Sequence, residues 1–168
     1  MFCFQCEQTA GCTGCTSRGV CGKDAQTARV QDRLTGALIG LARAADTSPD
    51  AGPETWQLMI EGLFATLTNV NFDPDSLNAL AGRVRAEKQR LVPDCAVCTA
   101  PCGRTGDYDL AQLWGAQEDI RSLKSLLLFG SRGMAAYAYH AMVLGYRDES
   151  VERFLSKALF AVGEDWSM

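Results

Sequence analysis

SLLLFGSRGMAAYAYHAMVLGY, residues 125–146, decides the fold class of this 168-residue chain. The stretch has the length of a bilayer-crossing helix, which needs about 20 apolar residues. Arg132 stands near its middle, beside Gly130, Ser131 and Gly133. A guanidinium at that depth in a bilayer is costly. The mean hydropathy of the whole chain is only −0.06. The stretch therefore reads as a buried helix of a bundle, not as a membrane span. It extends back to Glu118 and forward to Leu144, where Gly145 is a natural C-cap. Gly130 and Gly133 weaken its middle and predict a kink.

The same 3.6-residue periodicity continues on both sides. Downstream, Asp148 caps a last helix that runs to about Val162. Upstream, a helical pattern begins at about Leu110 and breaks near Gly115. Asp24 caps a helix over Ala25 to Ala45, whose apolar face carries Val30, Leu34, Ala37, Leu38 and Leu41. Gly36, Gly40 and Ala44 form a small-residue stripe beside that face, read as tight core packing. A loop over 46–53 leads to a helix from about Glu54 to Thr68. Asp73 before Pro74 starts another, which stops near Pro93. No β-alternation occurs anywhere. The expected class is all-α, with about six helices in two antiparallel bundles. Residues 1–23 form a Cys-rich loop, 24–168 the helical domain, and 94–107 a second Cys-rich loop. The closing GEDWSM begins an element at Glu164, Asp165 and Trp166, so a piece of a longer protein is expected.

Charge and cysteine content narrow the function. The net charge is −4, with no Lys/Arg cluster of the kind that neutralises phosphates, so a nucleic-acid partner is not expected. No basic n-region with an apolar h-region opens the chain. A reducing, cytoplasmic setting is the expectation, and there clustered cysteines read as metal-binding or redox-active.

MFCFQCEQTAGCTGCTSRGVCGK, residues 1–23, carries five cysteines. Cys3-x2-Cys6-x8-Cys15-x5-Cys21 supplies two thiolates from one turn and a looser pair to close the other side. Four thiolates suit a [4Fe-4S] cube, a [2Fe-2S] rhomb or tetrahedral zinc. The x8 and x5 gaps fit paired zinc knuckles poorly. Gly11, Gly14, Gly19 and Gly22 suit a chain wrapping tightly around an inorganic core. Cys12 is either a bystander thiol or a replacement for Cys15. A second set, Cys95-x2-Cys98-x3-Cys102, can hold a cluster with one open iron. It can also hold zinc with a fourth ligand from Asp94, Asp107 or His140. His140, the only histidine, is expected to be buried and hydrogen-bonded. Trp56, Trp114 and Trp166 are expected as core or interface anchors.

MFCFQCEQTA, TGCT, GVCGK and VQDRL (30–34) resemble the N-terminus of hybrid cluster proteins, also called prismane proteins or hydroxylamine reductases. GLFATLTNVNFD (62–73) and EDIRSLKSLLLFGSRGMAAYAYHAMVLGY (118–146) are similar to the same family. The resemblance implies a first domain of two three-helix bundles. It implies a cluster held by Cys3, Cys6, Cys15 and Cys21, with Cys12 excluded. The short gap before Cys15 resembles the [4Fe-4S] type, and longer gaps accompany [2Fe-2S]. The family's hybrid 4Fe-2S-2O cluster is ligated by a His, two Glu and several Cys from later domains. Here no cysteine follows Cys102, so those ligands are absent and hydroxylamine reduction is not expected of this chain alone.

The first functional expectation is thus an electron-transfer domain. It takes electrons from a ferredoxin-like or flavin/NADH-reductase-like donor and passes them to a hybrid cluster in the C-terminal domains of a parent protein. A zinc-stabilised interaction module is one alternative. A catalytic three-cysteine cluster in the 95–102 loop is the other.

Overall fold

The computed structural model describes residues 2–6, 14–93 and 106–167. Cys12, Asp94, Cys95, Cys98 and Cys102 lie outside the described residues. Six helices occur among those described: α1 (Ala25–Thr47), α2 (Pro53–Ala65), α3 (Pro74–Leu91), α4 (Leu110–Trp114), α5 (Glu118–Val143) and α6 (Glu149–Gly163). No strand occurs among the described residues, so the fold is all-α.

Local chemistry sets the helix starts. Asp24, Asp73, Asp109 and Asp148 each accept a backbone N–H of the first turn. This satisfies donors that would otherwise be orphaned at a helix N-terminus. Pro53 and Pro74 occupy first-turn positions, where the missing N–H costs nothing. After α5, Gly145 has φ +84, the left-handed conformation that glycine adopts without penalty.

α2 stops three residues before the expected Thr68. The Thr66 hydroxyl donates to the carbonyls of Gly62 and Leu63 at 3.0 and 3.1 Å. Asn69 then turns the chain at φ 65. Residues 66–69 are thereby freed from the helix to face the N-terminal loop.

α1 is the central element, packed on α2, α3, α4 and α6, while α5 packs on α2, α4 and α6. One hydrophobic cluster joins all six, with Leu34, Leu38, Leu41, Leu63, Leu77, Leu113 and Leu155 fully buried. The Gly36–Gly40 stripe has a specific cause. The 106–108 segment crosses α1 there, and Tyr108 N–H donates to the Gly36 carbonyl at 3.0 Å.

α5 is not the buried helix that its composition predicts. Leu128, Ser131, Arg132 and Ala135 are buried, but Leu126, Tyr137 and Val143 are 72%, 82% and 68% exposed. The helix runs unbroken through Gly130 and Gly133. Among the described residues, no helix is long and apolar enough to cross a membrane.

Candidate metal centre

Residues 2–6 and 14–23 lie against the start of α1 and the turn after α2. Backbone hydrogen bonds tie the loop to itself. Phe2 N–H donates to the Cys15 carbonyl at 3.1 Å, and Gly19 N–H to the Lys23 carbonyl at 2.7 Å. Phe4 stacks on Trp114, with ring centroids 4.6 Å apart. That contact anchors the segment between Cys3 and Cys6 to α4.

Cys3, Cys6, Cys15 and Cys21 all line one cavity of about 290 Å³. Gln5, Gly19, Lys23, Thr68 and Asn69 complete the wall. The four are free thiols; Cys3, Cys6 and Cys15 are half-buried and Cys21 is exposed. Gly19 is dictated by the site. A Cβ there would stand 2.9 Å from the Lys23 carbonyl oxygen and 3.2 Å from the Cys21 Sγ.

The donor set is entirely soft, the kind that selects iron–sulfur or zinc. Among the described residues, no three His, Cys, Asp or Glu groups are placed to hold a single metal ion. What the structure gives is four thiols on the wall of one cavity. The chain belongs to the prismane/CO dehydrogenase family.

The family match spans residues 1–168. Hydroxylamine reductase from Desulfitobacterium hafniense (strain Y51) is 40% identical over 98% of this chain. The one from Methanosarcina mazei is also 40% identical over 98% of it. That from Nitratidesulfovibrio vulgaris is 34% identical over all of it. The chain spans only about a third of each relative, between 33% and 35% of their lengths.

Electrostatics around the cavity are set by buried polar side chains that motif reading missed. Burial pushes the Cys3 thiol above its ordinary range, against a backbone N–H from Gln5 and the positive charge of Lys23. Lys23 itself is buried, its ammonium donating to Gln31 Oε1 at 2.6 Å. Asp32 is raised to about 6, chiefly by burial, with Arg132, Gln5 and Lys23 opposing. Arg132 is lowered to about 10 by burial, against the pull of Asp32 and Cys3. Gln5, Gln31 and Asp32 fall within the MFCFQCEQTA and VQDRL motifs without a role read for them, and Arg132 stood out as a cation inside an apolar run.

The candidate ligands for the second cysteine set are placed as follows. Asp107 receives hydrogen bonds from Arg85 Nε at 2.7 Å and Lys88 Nζ at 2.6 Å. Burial favours its neutral form, but these two cations outweigh it and hold the carboxyl below its usual range. His140 is exposed, contrary to expectation, with its ring edge-on to Phe64 at 5.4 Å. It sits on the outward side of α5, beside the rings of Phe64 and Tyr139. Trp56 is buried as expected, and Trp166 donates to the Ala161 carbonyl at 2.8 Å.

Proposed function

We propose that this chain is an iron–sulfur electron-transfer module, with Cys3, Cys6, Cys15 and Cys21 holding a [4Fe-4S] cluster. The observation that carries this reading is that all four thiols line one cavity. Bound there, the cluster would supply a one-electron carrier. The chain's own residues do the rest. Cys3 and Cys6 would ligate from one turn, and Cys15 and Cys21 would complete the set. Phe4 on Trp114 and the buried polar groups keep the inner wall fixed, while exposed Cys21 leaves an edge within reach of a small redox donor. The module belongs in a reducing, cytoplasmic compartment, where the thiols stay available.

In the parent protein the electron would pass to a hybrid 4Fe-2S-2O cluster held by domains beyond this third, where hydroxylamine or nitric oxide is reduced. The exposed apolar face of α5 (Leu126, Tyr137, Val143) is the surface those domains would cover.

Anaerobic purification with iron and sulfide analysis tests the reading. Brown protein with about four irons per chain and a paramagnetic reduced state is expected for one cube. About eight irons would add a second cluster at Cys95, Cys98 and Cys102. Colourless protein with stoichiometric zinc and no iron would overturn the reading in favour of a structural zinc module.

A further inference from the structure

Arg132 is a buried charge, 2% exposed in the middle of an apolar helix. An unpaired buried cation is costly, so its partners define its purpose. Its partners come from three elements, and one of them, Gln5, lines the cysteine cavity. Nη1 donates to Gln5 Oε1 at 2.8 Å, Nη2 to Thr35 Oγ1 at 2.9 Å, and Nε to Thr66 Oγ1 at 3.2 Å. Both threonine hydroxyls spend their own protons on helix carbonyls, Thr35 on Gln31 and Thr66 on Gly62. They can therefore only accept from Arg132, which makes the arrangement specific to a donor-only side chain.

Gln5 is the other end of the device. It lies between Cys3 and Cys6 and is held at three points. Arg132 donates to its Oε1, its Nε2 donates to Asp32 Oδ1 at 3.3 Å, and Thr68 Oγ1 donates to its backbone carbonyl at 2.6 Å. These partners come from α5, α1 and the turn after α2. Gln5 thus converts the packing of three helical regions into one fixed turn between two thiols.

We infer that Arg132 is a positioning residue for the thiol site, holding the Cys3–Cys6 turn through Gln5 and stabilising added negative charge in the cavity. The inference rests on the iron–sulfur reading for its electrostatic part only. One-electron reduction by an external reductant adds one negative charge to the site. A buried guanidinium weakly screened by solvent favours that state and raises the potential.

The test uses Arg132→Met, Arg132→Lys and Gln5→Ala in the full chain, with circular dichroism to establish folding. In metal-free protein the readout is the alkylation rate of Cys3 and Cys6, followed by peptide mapping. A lost charge-assisted hydrogen bond of about 1.5 kcal/mol corresponds to roughly tenfold in local opening, so Gln5→Ala and Arg132→Met should each react about tenfold faster. In iron-loaded protein the readout is the reduction potential. Arg132→Met should lower the reduced-to-oxidised ratio at fixed potential about tenfold, equivalent to about 59 mV for one electron. Arg132→Lys, which keeps the charge, should recover most of that shift but not the alkylation protection. Unchanged alkylation in folded Gln5→Ala and Arg132→Met overturns the positioning role, and an unchanged potential overturns the electrostatic one. If Arg132→Met does not fold, Gln5→Ala decides the positioning role and the potential of Arg132→Gln, which is neutral but polar, decides the electrostatic one. A wild-type chain that takes up no iron refutes the iron–sulfur reading instead, and the alkylation result still decides the tether.

Discussion

Gly36→Ala is expected to destabilise the fold, although alanine is the better helix former. In an exposed helix interior the change would stabilise by about 1 kcal/mol. At Gly36, however, a Cβ would stand 2.2 Å from the Tyr108 carbonyl oxygen. Neither atom is the end of a flexible side chain, so α1 and the 106–108 segment must separate by about an ångström to restore van der Waals contact. Overpacking of this kind costs about 1–3 kcal/mol. Separation also stretches the 3.0 Å bond from Tyr108 N–H to the Gly36 carbonyl, worth about 1 kcal/mol. The sum, less the gain in helix propensity, is a net loss of about 1–3 kcal/mol. For a chain of this size that lowers Tm by roughly 2–10 °C. The internal control is Gly82→Ala in α3, where a Cβ meets nothing within 4 Å and stability should rise by about 0.5–1 kcal/mol. Thermal melts of the metal-free protein measure both. If Gly36→Ala melts at or above the wild type, the close crossing of α1 by the 106–108 segment is refuted.

Three further outcomes are expected. Cys15→Ser should lose the iron while Cys12→Ser retains it, by metal analysis after anaerobic purification; the reverse result would reassign the third ligand. Asp32 is raised from 3.8 to about 6, so its ionisation costs the folded state. Its contribution therefore weakens as pH rises from about 4 to 6 and is constant above. Asp32→Asn should gain stability relative to wild type across that window, by up to about 3 kcal/mol for a shift of roughly two units, read by urea denaturation of metal-free protein at each pH; a flat difference would refute the burial of that carboxyl. Last, the exposed α5 face should make the chain self-associate. Leu126→Lys with Tyr137→Lys should reduce that association in sedimentation velocity and leave the helical content unchanged, since both side chains are more than 70% exposed.

Helix starts were legible because a cap is a short-range device. Asp24, Asp73-Pro74 and Asp148 satisfy N–H groups two or three residues away, so the signal and its effect share one window of sequence. The pairing of Cys3 with Cys6 could be read from a two-residue gap, whereas the fold brings Cys15 and Cys21 to the same cavity. Burial was less so. The α5 run looks uniformly apolar, yet which sides are covered depends on where α2, α4 and α6 lie. For the same reason His140 was expected inside and stands outside.

The sequence by itself determined that this chain is helical, where most helices start, and which cysteines are candidates for a common site. These are consequences of local backbone satisfaction and residue spacing. Only the tertiary structure decided what surrounds those thiols. Gln5 and Arg132 are 127 residues apart in the chain and 2.8 Å apart in space. No periodicity encodes that meeting, because it depends on packing α5 beside α2 and on the early end of α2 at Ala65. The arginine that argued against a membrane span is the group that the fold places behind the cysteine turn.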